Sequence, residues 1–312
     1  MTHNSMIASL IVLCAYAVPI GAEEPTSLVA QGAEVKKLAG GMQFIEGPVW
    51  LPKQQKLVFS DIPAGKLMQW SEPDGLSVFR DCEQANGNIL DLQGRIISCQ
   101  HGARNVVRQE ADGTIQVLAD RFDGKRFNSP NDVAVRSDGT LWFTDPPWGL
   151  NEPPELPGHW VFKLDPATGQ VEVLIKELAM PNGIVFSPDE SRLYVADTGG
   201  HPKHPDPKFH TMAAGIHCYD VSADGKLGKK RFVIDQGSDG MAVDVEGNLY
   251  TTHDKVHIYT ADGKLIESID VPEGPANVGF GGKDLKTLFI TARTGLYSVQ
   301  LINAGAFPAT GE

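Results

Sequence analysis

Cysteine is scarce, positive charge is in deficit, and long apolar runs are nearly absent. Four cysteines in 312 residues, none of them closely paired, exclude a zinc-ribbon spacing and a disulfide framework. A single bridge between Cys82 and Cys99 is compatible with an oxidising compartment, and so are buried free thiols. Lys and Arg number 27 against 39 Asp and Glu, a net charge of −12 spread along the chain. That balance disfavours nucleic acid and anionic membrane as partners. The one long apolar run, residues 6–20 (MIASLIVLCAYAVPI), is short for a bilayer span and is followed by small residues up to Ala22. It predicts a secretory signal over residues 1–22, leaving residues 23–312 as one exported domain, periplasmic or secreted, with no membrane insertion after cleavage. No Lys or Arg precedes the run, so an uncleaved anchor is the alternative. Missing too are a serine nucleophile elbow and a glycine-rich phosphate loop, which disfavours acyl-enzyme and nucleotide chemistry. No segment reads as an amphipathic helix.

What is present is a repeat. The strand in GTLWFTD (139–145) has relatives in KLVFSD (56–61), GRIISCQH (94–101), SRLYVAD (191–197), GNLYTTHD (247–254) and KTLFITA (286–292). Their first aliphatic residues are Leu57, Ile96, Leu141, Leu193, Leu249 and Leu288, spaced about 46 apart on average, in the range of four-stranded propeller blades. Alternation around the third copy implies strands at 132–136, 140–144, 159–164 and 170–175. The fourth copy implies 183–186, 192–196, 215–220 and 231–235. The sixth runs out after three strands, and an unassigned strand at 33–39 is available to complete it. The fold expected is all-β: a six-bladed β-propeller with four-stranded blades, its ring closed by an N-terminal strand.

Ten or eleven residues before each repeated aliphatic stand Glu46, Asn86, Asn131, Asn182, Asp239 and Asn277. In a propeller they begin the innermost strands, so they should converge at one end of the axial channel. Two carboxylates meeting in a desolvated cavity repel, and a divalent cation removes the conflict. An all-oxygen set of acids and amides suits Ca²⁺ best and admits Mg²⁺ or Mn²⁺; zinc prefers Cys and His. Turn chemistry alone explains any single Asn-Gly, but not six in register. Asn86 and Asn277 are expected as outer-shell residues or as contacts of the bound substrate.

The ends of the following strands carry Asp61, His101, Asp145, Asp197, His253 and Arg293, expected as a second polar girdle that touches substrate. Long loops at 146–158 and 198–214, rich in Pro, Gly and aromatics, should form a partial lid. The three histidines of HPKHPDPKFH (201–210) raise a transition-metal site, but their prolines favour a plain surface loop.

The motifs IEGPVW (45–50), RFNSPNDVAVRSDGTLWFTDPPWG (126–149), PNGIVFSPDESRLYVAD (181–197) and SDGMAVDVEGNLY (238–250) together resemble the senescence-marker-protein-30/gluconolactonase/luciferin-regenerating-enzyme family over about residues 40–300. The resemblance implies one catalytic divalent metal, usually Ca²⁺, held at Glu46, Asn131, Asn182 and Asp239. It implies a lactonase acting on sugar lactones such as gluconolactone, with Asp239 as general base; His101 and His253 are the other candidates for that role. Some members carry Arg two residues before the ligand. Here Ser129 stands there, with Arg126 and Asn128 further upstream as the candidate substrate contacts. A phosphotriesterase on the same metal and a non-catalytic envelope binding propeller are the competing readings.

Overall fold

Short alternating stretches joined by Asp-Gly turns can only fold back on themselves, and one hairpin shows how. In blade 3, Arg136 N donates to Thr140 O at 3.0 Å, and Gly139 N donates to Arg136 O at 2.8 Å. Asp138 Oδ1 accepts from Thr140 N at 3.0 Å, and Gly139 takes φ +84°, which a side chain rarely tolerates.

The computed structural model describes Met1 and residues 27–306 apart from Lys203; the expected signal segment and Cys14 lie outside the described residues. It contains six four-stranded antiparallel sheets and a small hairpin pairing Arg121–Phe122 with Lys125–Arg126. The innermost strands are Ile45–Leu51, Ala85–Leu90, Val133–Val135, Pro181–Phe186, Met241–Val243 and Asn277–Gly281, in blades 1 to 6. Blade 3 continues with Leu141–Asp145, Trp160–Asp165 and Gln170–Ile175, close to expectation. The last strand of blade 4 is Leu227–Ile234, starting earlier than the apolar pattern indicated because its first half is Gly-Lys-Lys-Arg on an exposed edge. Blade 6 is completed from the other end of the chain: Lys36–Gly40 pairs antiparallel with Gly295–Gln300. The ring is therefore closed by an N-terminal strand. Among the described residues the only helical element is the 3₁₀ turn Pro207–Phe209.

The core lies between blades rather than on the axis. Each of six large apolar clusters joins two neighbours, for example Ile97, Cys99 and Val106 of blade 2 with Val133, Phe143 and Phe162 of blade 3. At the closing seam Trp50 of blade 1 stacks on Phe289 of blade 6, with centroids 5.6 Å apart. Cys82, Cys99 and Cys218 are free thiols, the last two buried, so the folded domain is held by these seams without a bridge. No helix among the described residues is long and apolar enough to cross a membrane.

Candidate metal centre and active site

The residue starting each inner strand is aimed by the backbone that follows it. In blades 1, 2 and 4 the pairing slips by a bulge at Glu46-Gly47, Asn86-Gly87 and Asn182-Gly183. A bulge re-aims the side chain at the point where it occurs. The glycines also let adjacent blades meet at the axis. A Cβ on Gly183 would lie 2.5 Å from Asp239 O, and one on Gly240 would lie 1.9 Å from Asn277 Cγ. Hydroxyls on the second strands staple these meetings: Ser60 Oγ donates to Asn86 O, Thr144 Oγ1 to Asn182 O, and Thr252 Oγ1 to Ala276 O, each at 2.7 Å.

The result is one cavity of about 670 Å³ at one mouth of the channel, lined by Glu46, Asn86, Asn131, Asn182 and Asp239, together with His101, His253 and Arg293. Five of the six ring positions thus share a wall. Asn277 does not: its strand has no bulge and it is followed by Val278, so it pairs regularly with Thr291 and turns aside to donate to Glu46 Oε2 at 2.8 Å. It positions a wall residue and does not line the cavity.

The girdle divides in the same way. Asp61, Asp145 and Asp197 turn away from the cavity and accept backbone N–H groups from the segment entering their own blade. Asp197 takes Ala179, Met180 and Gly199; Asp61 takes Gln43 and Phe44; Asp145 takes Asn128. The expectation that Asp145 and Asp197 touch substrate is therefore corrected. Asn128, fully buried, donates to Asp145 O and Gly158 O and is a structural residue as well. Arg126 donates to Ala103 O and sits by Glu152 at the outer side of the lid, so it also leaves the list of substrate contacts. The reason is strand alternation. The three aspartates stand four residues after the repeated aliphatic, whereas His101 and Arg293 stand five after it and so face the channel. His253 is at the fourth position but remains exposed at the rim, 3.4 Å from Asp254.

Several groups on the wall keep uncommitted oxygens. Glu46 accepts Gly47 N and Asn277 Nδ2 on Oε2 alone. Asn182 hydrogen-bonds Asp239, and burial pushes the Asp239 carboxyl up to about 6. Glu46 is raised well above the usual carboxylate range, first by burial and then by the charge of Asp239. Asp132, next to Asn131 where other repeats carry glycine, was not anticipated; burial lifts it to about 7. It lies on the far side of the ring, in a narrower apolar cavity of about 130 Å³. Two buried acids, each raised by burial and Glu46 further by the charge of Asp239, beside amides with spare oxygens, fit a hard divalent cation. Among the described residues no three His, Cys, Asp or Glu side chains group as metal ligands, so the donor set has to include the amides.

His101 accepts from Asn86 Nδ2 on Nε2 at 3.2 Å in the neutral tautomer this pairing requires, and burial lowers it to about 4. In that arrangement the Nε2 lone pair is shared with the Asn86 amide. Both lid loops reach the cavity, through Trp148, Thr198 and Ala214. Ser129, two residues before Asn131, pins the first of them by donating to Pro146 O and accepting from Gly149 N. The histidine loop is more than surface: His204 is buried, with its ring 4.3 Å from His159 and 4.5 Å from Phe209. Arg104, also unanticipated, holds φ +57° and donates through Nε to Phe127 O and Asn128 O, joining blade 2 to the entry of blade 3.

The sequence signature described as SMP-30/Gluconolactonase/LRE-like region matches residues 44–294. A gluconolactonase of Zymomonas mobilis is 29% identical over 85% of this chain and 81% of its own. A 6-deoxy-6-sulfogluconolactonase of Pseudomonas putida is 27% identical over 79% and 82%. The solved structure of a gluconolactonase from Xanthomonas campestris superposes with a TM-score of 0.78 at 35% identity, covering 88% of this chain and 91% of that one.

Proposed function

Because this chain belongs to the SMP-30/gluconolactonase/LRE-like family, we propose that it is a lactone hydrolase of the gluconolactonase type, dependent on one divalent cation, with Ca²⁺ preferred. The observation that carries this reading is the convergence of Glu46, Asn131, Asn182 and Asp239 on one cavity, a set that the chain places together from four different blades. The relatives named above, which include two gluconolactonases, support the substrate class.

A cation held by those four residues supplies Lewis-acid polarisation of the lactone carbonyl. The chain's own residues do the rest. Asp239, hydrogen-bonded to Asn182, is the carboxylate placed to take the proton of the attacking water and pass it to the departing ring oxygen. Asn277 fixes Glu46 through Oε2, which leaves Oε1 without a hydrogen bond among the described residues. Trp148 and the second lid loop restrict bulk water, and the cavity's volume is that of a small-molecule site. The partner is a small lactone, with no nucleic acid. The apolar run at residues 6–20 supports an exported protein, periplasmic or secreted.

The test is hydrolysis of a lactone panel by chelator-stripped protein resupplied with Ca²⁺, Mg²⁺, Mn²⁺ or Zn²⁺ in turn. Turnover that survives stripping undiminished overturns the cation; faster turnover of phosphotriesters than of lactones overturns the substrate class.

A further inference from the structure

The chain carries a cavity-facing cation that the reaction above does not use. Arg293 lies on the same wall as Glu46 and Asp239. Its backbone takes φ +51°, a conformation that disfavours side chains, and Ile45 N locks it there by donating to Arg293 O at 2.9 Å. Its guanidinium sits 5.6 Å from the Phe44 ring centroid, which fixes its direction.

In this acidic chain the arginines are otherwise consumed. Arg95, Arg104, Arg108, Arg121, Arg126, Arg136, Arg192 and Arg231 all sit in salt bridges. Arg80 is engaged by Gln109 and by Asp81 O. Arg293 alone has neither an ion pair nor a side-chain hydrogen bond among the described residues. Glu273, the acid that flanks its turn, is withheld by four other donors: Thr294 N, Thr294 Oγ1, Tyr297 OH and Lys37 Nζ. Asp239 feels Arg293 only through space, and its own hydrogen bond goes to Asn182.

We propose that Arg293 recognises an anionic substituent on the lactone, a carboxylate, sulfonate or phosphate carried away from the ring carbonyl. This rests on the lactonase reading and names its substrate class. A divalent cation would offset Glu46 and Asp239, and Asp132, the third acid that interacts with them, lines the apolar cavity on the far side of the ring, so at the mouth the guanidinium has no acid of its own. A planar guanidinium fork matches such an oxyanion with two parallel hydrogen bonds and outperforms a lysine there.

The experiment compares kcat/KM for glucono-1,5-lactone, which is neutral, with that for a glucarolactone bearing a free carboxylate and for 6-phosphogluconolactone. Wild type, Arg293→Gln and Arg293→Lys are assayed, each loaded with Ca²⁺. The expected result is a charged-over-neutral preference that falls tenfold or more in Arg293→Gln, chiefly through KM, and is partly restored in Arg293→Lys. A preference equal in wild type and Arg293→Gln overturns the proposal. In parallel, calorimetry measures binding of glucarate and of gluconate to the Ca²⁺-loaded proteins. This arm stands even if no lactone is turned over, which would sink the lactonase reading alone. Glucarate should lose tenfold more affinity than gluconate on substitution; equal losses, or tighter Ca²⁺ binding as the sole effect, show a counter-charge to Asp239 and refute the assignment.

Discussion

Asp197 and Asp239 are the same residue type, in neighbouring blades of one ring, and their surroundings give them opposite work. Asp197 is buried with three backbone N–H groups on its two oxygens. It is a carboxylate fully used by the chain. Asp239 has one amide neighbour, an edge open to the cavity and a second acid across from it. A carboxylate whose oxygens are taken stabilises the fold, whereas one left short costs stability and is available to a ligand. Asp61 belongs with the first and Glu46 with the second; Asp145 stands between them, its Oδ2 held by Asn128 N and its Oδ1 buried without a partner among the described residues.

Exchanging the carboxylate for an amide separates the two most sharply. Asp239→Asn should reduce lactone turnover by about 10³-fold, the scale of a lost general base or charge-stabilising group. Its melting temperature without added metal should hold or rise, since a buried acid is gone. A fall in stability matching the fall in rate would merge Asp239 with the structural set. Asp197→Asn should do the reverse. Losing a charged acceptor for buried amides costs about 3 kcal/mol, visible as a lower urea midpoint at unchanged slope. Rates per folded molecule should stay within a few-fold.

Much of this contrast was written in the sequence, though only part of it was legible there. The period of the aliphatic positions located the blades, because propeller packing repeats the same buried face between neighbours. The ring followed from counting back, because strand starts are equivalent in each blade. Two details depended on pairing rather than spacing. Asn277 shares the offset of Glu46, but it is itself a regular ladder partner of Thr291, whereas Asn86 and Asn182 sit at bulges and Asn131 and Asp239 precede the first ladder pair of their strands. The aspartates and His101 differ by a single residue in distance from the repeated aliphatic, which reverses the face of the sheet. That count was available beforehand. The destination of the outward face was not, because its partners are backbone groups of loops with no periodicity. Asp132 had a signal in retrospect, as an acid where other repeats place glycine.

Between the two extremes stands the lid pair. His159 donates Nδ1 to Ala179 O at 2.7 Å, yet its buried Nε2 has no partner, and burial lowers its pKa to about 4. The folded protein therefore binds this proton less readily than the unfolded chain, whose histidine titrates near 6.5. Stability from this group is intact above that value and declines as pH falls toward 4, by up to roughly 3 kcal/mol. Urea melts at pH 7 and pH 4.5 should show this loss, and His159→Gln should remove its share, while His101, His204 and His217, also lowered by burial, keep theirs. A slope identical in the variant would place the acid sensitivity elsewhere.

The smallest effect expected comes from moving a residue across the divide. The clamping aspartates serve N–H groups two or three residues before the ring residue; in blade 5 those belong to Gln236 and Gly237. In blade 6 one of the two positions is Pro275, which has no N–H, so a clamp there would be incomplete. Blade 5 has both groups, and the clamping position is filled by exposed His253. His253→Asp should bring that carboxylate under the entering segment and add about 1 kcal/mol of stability, a rise of a few degrees or less in Tm for a chain of this length. A loss instead would mean that the added charge feels Glu46 and Asp239 more than the backbone, and that nearness to the ring, rather than the supply of N–H groups, decides which acids the fold can use.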